Sequence, residues 1–187
     1  MKKLSIVAVV VLLLLGFYTW SSYNHLVTAN EKIDGQWAQV ETQYQRRFDL
    51  IPNLVNSVQG AMAQEQKVFG DLAEARSHYA GVQNPNEKAA AATQVESSLS
   101  RLLVVMENYP QLKSTETVQT LMAQLEGTEN RISVERQRFN NEIRDFNTYI
   151  KRFPNNIIAG QLGFSARNYF EAEKGSEQAP KVDLGIK

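Results

Sequence analysis

Any chemistry in this chain would have to come from a small set of side chains. There are two histidines, His25 and His78, and no cysteine. Two imidazoles are too few for a typical histidine metal cluster. Without thiols there is no disulfide, no thiolate metal site, no cysteine nucleophile and no lipidated cysteine. Neither histidine stands in an H-E-x-x-H, and the chain has no phosphate loop and no G-x-S-x-G. His78, beside Tyr79, reads as a residue that favours the C-terminal dipole of a helix. Charge is denser further along, at Glu126, Glu129, Arg131, Glu135, Arg136, Arg138, Glu142, Arg144 and Asp145. Such a set could line a metal or ligand channel. It equally describes a solvated helix face with ion pairs such as Glu135–Arg138, Glu142–Arg138 and Asp145–Lys151, each contributing only a few tenths of a kcal/mol. The solvated face is the reading adopted, with Arg131 and Arg138 kept as candidate interaction residues. These residues predict no catalytic group, no cofactor and no metal.

A second constellation is RRFDLIPNL, Arg46 to Leu54. Two guanidiniums and a carboxylate stand directly against an apolar run. Pro52 interrupts what otherwise reads as helix. The corner reading makes Asp49 an N-cap, with proline tolerated in the first turn of a new helix. Leu50, Ile51 and Leu54 would then close the core against Tyr109 and Leu112. Arg46 and Arg47 remain as candidate interaction residues, one of them pairing with Asp49 or Glu107 across the corner.

Helices must position all of these groups. Leu26, Ile33, Trp37, Val40, Tyr44 and Phe48 recur at helical spacing, and so do Leu54 or Val55, Val58, Met62, Phe69, Leu72 and Tyr79. Ala92 to Tyr109 and Val118 to Phe153 continue the habit, with polar lapses at Thr128 and Glu135. Each row lays an apolar stripe along one helix face, and nothing alternates with period two. Pro52, GVQNPNE (Gly81 to Glu87), NYPQLKST (Asn108 to Thr115, with Ser114 a candidate N-cap) and FPNN (Phe153 to Asn156) are breaks. The predicted fold is all-α: an antiparallel up-down four-helix bundle with long helices over 24–48, 52–80, 86–108 and 115–152. The first and third loops share the end far from the N-terminus, and the second loop and FPNNIIAGQLGF share the near end. Asn140, Asn141 and Asn147 are mediocre helix formers, and Asn147 is a candidate for fixing register in the core.

The N-terminal residues 1–22 differ in kind. Leu4 to Trp20 carries no charge. That length just crosses a hydrocarbon core of about 30 Å as a helix. A cleaved signal peptide would need a shorter apolar run and a small-x-small cleavage site, so an uncleaved anchor is preferred. Lys2 and Lys3 flank one side only, which places the N-terminus in the cytoplasm and the remaining chain on the outer, periplasmic side. Trp20, Tyr23, Ile157, Ile158, Leu162 and Phe164 are candidate membrane-interface residues. Residues 154–172 would cap the bundle or touch lipid, and 173–187 would form a flexible tail. With 20 basic and 20 acidic side chains, nothing offers nucleic acid a basic face.

Taken in order, YNHLV (Tyr23 to Val27), Ile33–Asp34 with Trp37, QRRFDLIPNLV (Gln45 to Val55), RLLVVMENYPQLK (Arg101 to Lys113), LEGTENRI (Leu125 to Ile132), FNNEIRDFN (Phe139 to Asn147) and FPNNIIAGQLGF (Phe153 to Phe164) resemble the LemA family of bacterial membrane-anchored proteins. Gly35 departs from the family habit and softens its turn by about 1 kcal/mol against alanine. The resemblance implies one N-terminal span in the bacterial inner membrane and a soluble helical bundle, and brings no reaction with it. The expected function is a membrane-tethered, non-enzymatic interaction or scaffold protein. Its partners would be the bilayer, through residues 4–20, and another protein or further copies of itself. The alternatives are a lipid-binding or membrane-shaping protein and, less favoured, a hydrolase or metal-dependent enzyme.

Overall fold

The computed structural model describes residues 2–170. The expected tail 173–187 and the last residues of the 154–172 segment lie outside them. The described residues are helical apart from turns and one extended segment. The helices are α1 (Lys2–Val58), α2 (Gln66–Gly81), α3 (Pro85–Met106), α4 (Pro110–Lys113), α5 (Glu116–Lys151) and α6 (Asn155–Gln161).

α1 corrects the expected corner. It is one helix of 57 residues with Pro52 inside it, about 85 Å long at ~1.5 Å per residue. Proline removes a hydrogen bond and crowds the preceding turn, which disfavours a helix interior. Burial outweighs that penalty. Phe48, Ile51, Leu54 and Val58 are all buried, so the stripe passes Pro52 without changing phase. The chain reverses only after Val58. Met62 is buried inside that turn, and the Met62 carbonyl accepts from Glu65 N at 2.9 Å. Tyr109 Oη donates to Glu65 Oε1 at 3.3 Å and ties the end of α3 to this reversal.

The pairing of helices follows from cross-chain contacts. α1 and α5 run antiparallel: Ser22 meets Tyr149, Gln36 meets Glu135, and Arg47 meets Glu129. α2 and α3 run antiparallel, with His78 bonded to Gln94. Lys88 Nζ sits 2.6 Å from Glu41 and 5.5 Å over the Tyr79 ring, so α3 begins beside α1 near Glu41. This corrects a second expectation. The α2–α3 loop does not share the near end with FPNN; it stops about two thirds of the way along α1, near Glu41. Asn84 caps α3 by accepting from Asn86 N and Glu87 N, with Pro85 in the first turn. Ser114 does not cap α5. It closes the short α4 by donating to the carbonyls of Pro110 and Gln111.

The half of α1 and α5 that α2 and α3 do not reach is covered by the segment after α6. Gly163, at φ +80°, turns the chain back, and Phe164 N donates to the Ala159 carbonyl at 2.9 Å. Residues 164–170 then run extended between α1 and α5. Phe164 meets Tyr23 and Phe146, and Phe170 meets Trp37. Phe153, expected at the end of the α5 stripe, is 80% exposed.

Candidate interaction site

Arg47 and Arg136 both fall on core stripes. Arg47 lies between Tyr44 and Ile51 on α1, and Arg136 between Ile132 and Phe139 on α5; all four of those flanking apolar residues are buried. A guanidinium there must find an anion or accept a large desolvation cost. Glu96 of α3 supplies it. Its carboxylate lies 3.5 Å from Arg47 Nη1 and 2.8 Å from Arg136 Nη2. Glu129 adds a second carboxylate to Arg47. Tyr44 Oη accepts from Arg136, whose guanidinium also lies 5.4 Å over the Tyr44 ring and 4.2 Å over the Phe170 ring. Burial pushes the Tyr44 hydroxyl far above its ordinary range, the Glu96 carboxylate adds to the rise, and Arg136 opposes both. Burial pulls the Arg47 guanidinium down, against the pull of Glu96 and Tyr44. Three helices and the end of the extended segment therefore meet on one set of charges, with Arg47 buried, Glu96 and Arg136 partly buried and Glu129 reaching solvent. The Nε atoms of Arg47 and Arg136 have no partner among the described residues.

The other expected interaction residues do not converge. Arg46 is exposed on α1. Asp49 is exposed in mid-helix and accepts from Gln45 Nε2 at 2.7 Å, one turn back, so it caps nothing. Glu107 is exposed and lies 3.7 Å from Lys113, not from either arginine. Arg131 is exposed. Arg138 is exposed and pairs with Glu135 at 2.8 Å, as the i, i+3 spacing predicts. Of the charges on α5, Arg136 and Glu129 reach Glu96 and Arg47. Sequence reasoning missed Glu96 altogether and read Arg136 only as part of a solvated face. For Arg136 the signal was its place on the α5 stripe, three residues before Phe139.

Near the apolar run the chain builds a different constellation. Asn155 of α6 is buried, and its Oδ1 accepts from Tyr18 Oη at 2.7 Å and Ser22 Oγ at 3.3 Å. That places α6 beside the last turns of the apolar run. Ile157 and Leu162 are exposed, as are Trp20 and Tyr23 on α1. Ile158 is half-buried, and Phe164 turns inward against Phe146. His25 lies against Tyr149, with ring centroids 4.2 Å apart. His25 and His78 thus sit on different helix pairs, and among the described residues no three His, Asp or Glu side chains converge as metal ligands.

Two asparagines of α5 hold the extended segment by its backbone. Asn147 Nδ2 donates to the Arg167 carbonyl and Asn147 Oδ1 accepts from Arg167 N, both at 2.9 Å. Asn140 does the same to Phe170, at 3.0 and 2.8 Å. The expectation that Asn147 is buried with a register role meets a buried Asn147 that bonds a backbone.

Residues 2–21 of α1 are all exposed, and this is the one described helix long and apolar enough to cross a membrane. Among curated proteins, magnetosome proteins MamQ 1 and MamQ 2 of Paramagnetospirillum magneticum are each 27% identical, over 96% of this chain and 73% of their own length. Magnetosome protein MamQ of Magnetospirillum gryphiswaldense is 27% identical over 94% of this chain and 74% of its own. A profile of the LemA family matches residues 36–184, most of the helical region just described, and the chain belongs to that family.

Proposed function

We propose that the chain is a membrane-tethered, non-enzymatic helical interaction protein. Residues 4–20 would lie in the bilayer, with the N-terminus in the cytoplasm and the helices on the periplasmic side, packed as an antiparallel four-helix bundle. The observation that carries this reading is the continuity of α1. Its exposed apolar run passes without a break into the stripe that builds the core. An unbroken helix fixes the pose of the attached helices, which suits presentation of a surface better than release of a substrate. The magnetosome relatives support a membrane-linked role. The buried charges engage one another rather than a cleft, which supports an interaction role over catalysis. Crosslinking of the full chain in intact membranes should trap a partner or a homo-oligomer. A monomer with every crosslinker chemistry would overturn the proposal.

A second reading, lipid contact, has its own support. Phe153 and Ile157 are exposed beside Asn155, which is bonded to Tyr18 and Ser22 at the end of the apolar run. Apolar side chains at that level would enter the interface. In flotation with anionic and neutral vesicles, the domain without the apolar run and carrying F153S and I157S should bind less than the same domain altered only at distal surface residues. Equal flotation removes this reading.

A further inference from the structure

The groove between α1 and α5 has a register matched to an extended chain. Seven residues of helix rise about 10.5 Å, and three residues of extended chain cover about 10 Å. On α1, Tyr23, Asn30 and Trp37 are spaced by seven. They meet Phe164, Arg167 and Phe170, spaced by three: Tyr23–Phe164 centroids are 6.5 Å apart, Arg167 Nη1 donates to Asn30 Oδ1 at 3.0 Å, and Trp37 stacks on Phe170 at 6.3 Å. On α5, Asn147 and Asn140 are also spaced by seven and grip the backbones of Arg167 and Phe170. Asp34 adds a carboxylate to Arg167. Each asparagine satisfies both the N–H and the C=O of one residue. Such a contact reads an extended backbone whatever its side chain, and the flanking groups then choose the side chains. Asparagine weakens a helix, so two of them at this spacing on α5 fit a chain-gripping role better than a helix-building one.

The segment is held but not entombed. Residues 164–170 are all exposed or only half-buried, whereas Trp37, Phe139, Phe146 and Asn147 beneath them are buried. The groove is therefore a formed surface whose occupant stays partly exposed, and the chain enters it through a turn at Gly163.

We propose that this groove is a binding site for an extended peptide of the pattern aromatic-x-x-Arg-x-x-aromatic, and that besides its own 164–170 segment it takes the same segment from a second copy of the chain, linking neighbours by exchange. The second copy is the fitting partner because every copy carries the matching sequence. A shared anchor would also hold all grooves at one height and one direction. In this respect the inference rests on the membrane-tethered reading above.

The test uses full chains in the same vesicles. A tagged copy carrying F164A, R167E and F170A cannot fill its own groove. It should capture untagged wild-type chain at least tenfold better than it captures an untagged copy with the same three changes. Adding N140A and N147A to the tagged copy should abolish the difference. A fluorescent peptide of sequence FSARNYF reports the same site directly and should bind the tagged variant at least tenfold more tightly than wild type, whose own segment competes. Unchanged peptide binding after N140A and N147A, or no binding to the triple variant with its helix content intact, overturns the proposal. If the triple variant loses helix, the peptide is titrated onto wild-type chain against wild-type chain with N140A and N147A alone; equal binding, or none to either, overturns it. Oligomers crosslinked in membranes that N140A and N147A leave intact would overturn this groove while the interaction reading stands; the absence of any crosslinked species would overturn both.

Discussion

The region around Glu96 and the region around Asn147 solve the same problem in different ways. Far from the apolar run, α3 is held to α1 and α5 by a carboxylate between two guanidiniums, with Glu129 and Tyr44 completing the set. Nearer the apolar run, where α2 and α3 do not reach, α1 and α5 are bridged by an extended segment whose backbone is gripped through neutral amides, with one partly exposed ion pair, Arg167–Asp34, beside them. Buried ions are exacting: each partner fixes the others, and losing one strands the rest. Amide pairs on a backbone contribute less and come apart with less consequence. The contrast predicts a distal region that unfolds as a unit and a proximal segment that opens locally.

The largest expected effect tests the first half of that contrast. Glu96→Ala should lower the stability of the full chain by about 2–3 kcal/mol in denaturant titration, because buried Arg47 keeps only the half-exposed Glu129 and partly buried Arg136 keeps only the Tyr44 hydroxyl. Replacing the trio together, with R47M, E96L and R136M, should recover most of that loss. Equal losses for the single and triple variants would mean that packing, not charge, holds this junction.

The next effect depends on pH and belongs to the same region. Burial, with the Glu41 carboxylate adding, pushes the Tyr79 hydroxyl up to about 12. An unfolded tyrosine loses its proton near 10. Between those values the folded chain holds a proton that the unfolded chain has released. Stability is therefore whole below about pH 10 and falls as pH rises to about 12, by on the order of 2 kcal/mol. Tyr44 shifts in the same direction. Tyr79→Phe should flatten the alkaline limb of a stability–pH profile across this window. An unchanged slope would place the alkaline sensitivity elsewhere.

The second half of the contrast carries a smaller effect. Asn147→Ala should reduce stability by about 1 kcal/mol and raise amide exchange across 164–170, leaving α2 and α3 protected. Exchange that spreads into α3 would show that the two regions are not separate units.

These regions were unequally legible in the sequence. The stripes on α3 and α5 were the clearest signals, because their apolar spacing is local, and on α5 it keeps its phase through the polar lapses at Thr128 and Glu135. The path of α1 was misread at Pro52. A local penalty was weighed above the Phe48–Ile51–Leu54–Val58 phase, and tertiary burial decides such contests. The bearers of the charge junction lie far apart in the chain, and only the placement of Arg47 and Arg136 on apolar stripes marked them. The extended segment was least legible. Its period of three acquires meaning only against a period of seven on two other elements, and Gly163 supplies the only local cue to the turn. The poor helix propensity of Asn140 and Asn147 did point to a special role, though not to which backbone they would hold.

The smallest expected effect separates the two readings of RRFDLIPNL. Were Asp49 an N-cap, Asp49→Ala would remove about 1 kcal/mol. In the structure α1 runs through this position, Asp49 is exposed, and its partner is Gln45 one turn earlier. Such an i, i+4 contact contributes a few tenths of a kcal/mol. Asp49→Ala should therefore lie within about 0.5 kcal/mol of wild type, in the same titration that registers Glu96→Ala. Arg47→Ala should behave like Glu96→Ala, because its guanidinium belongs to the charge junction; Arg46→Ala, exposed on the same turn, should be silent. A loss near 1 kcal/mol at Asp49 would show that the helix does break before Pro52, and would return the corner to where the proline first placed it.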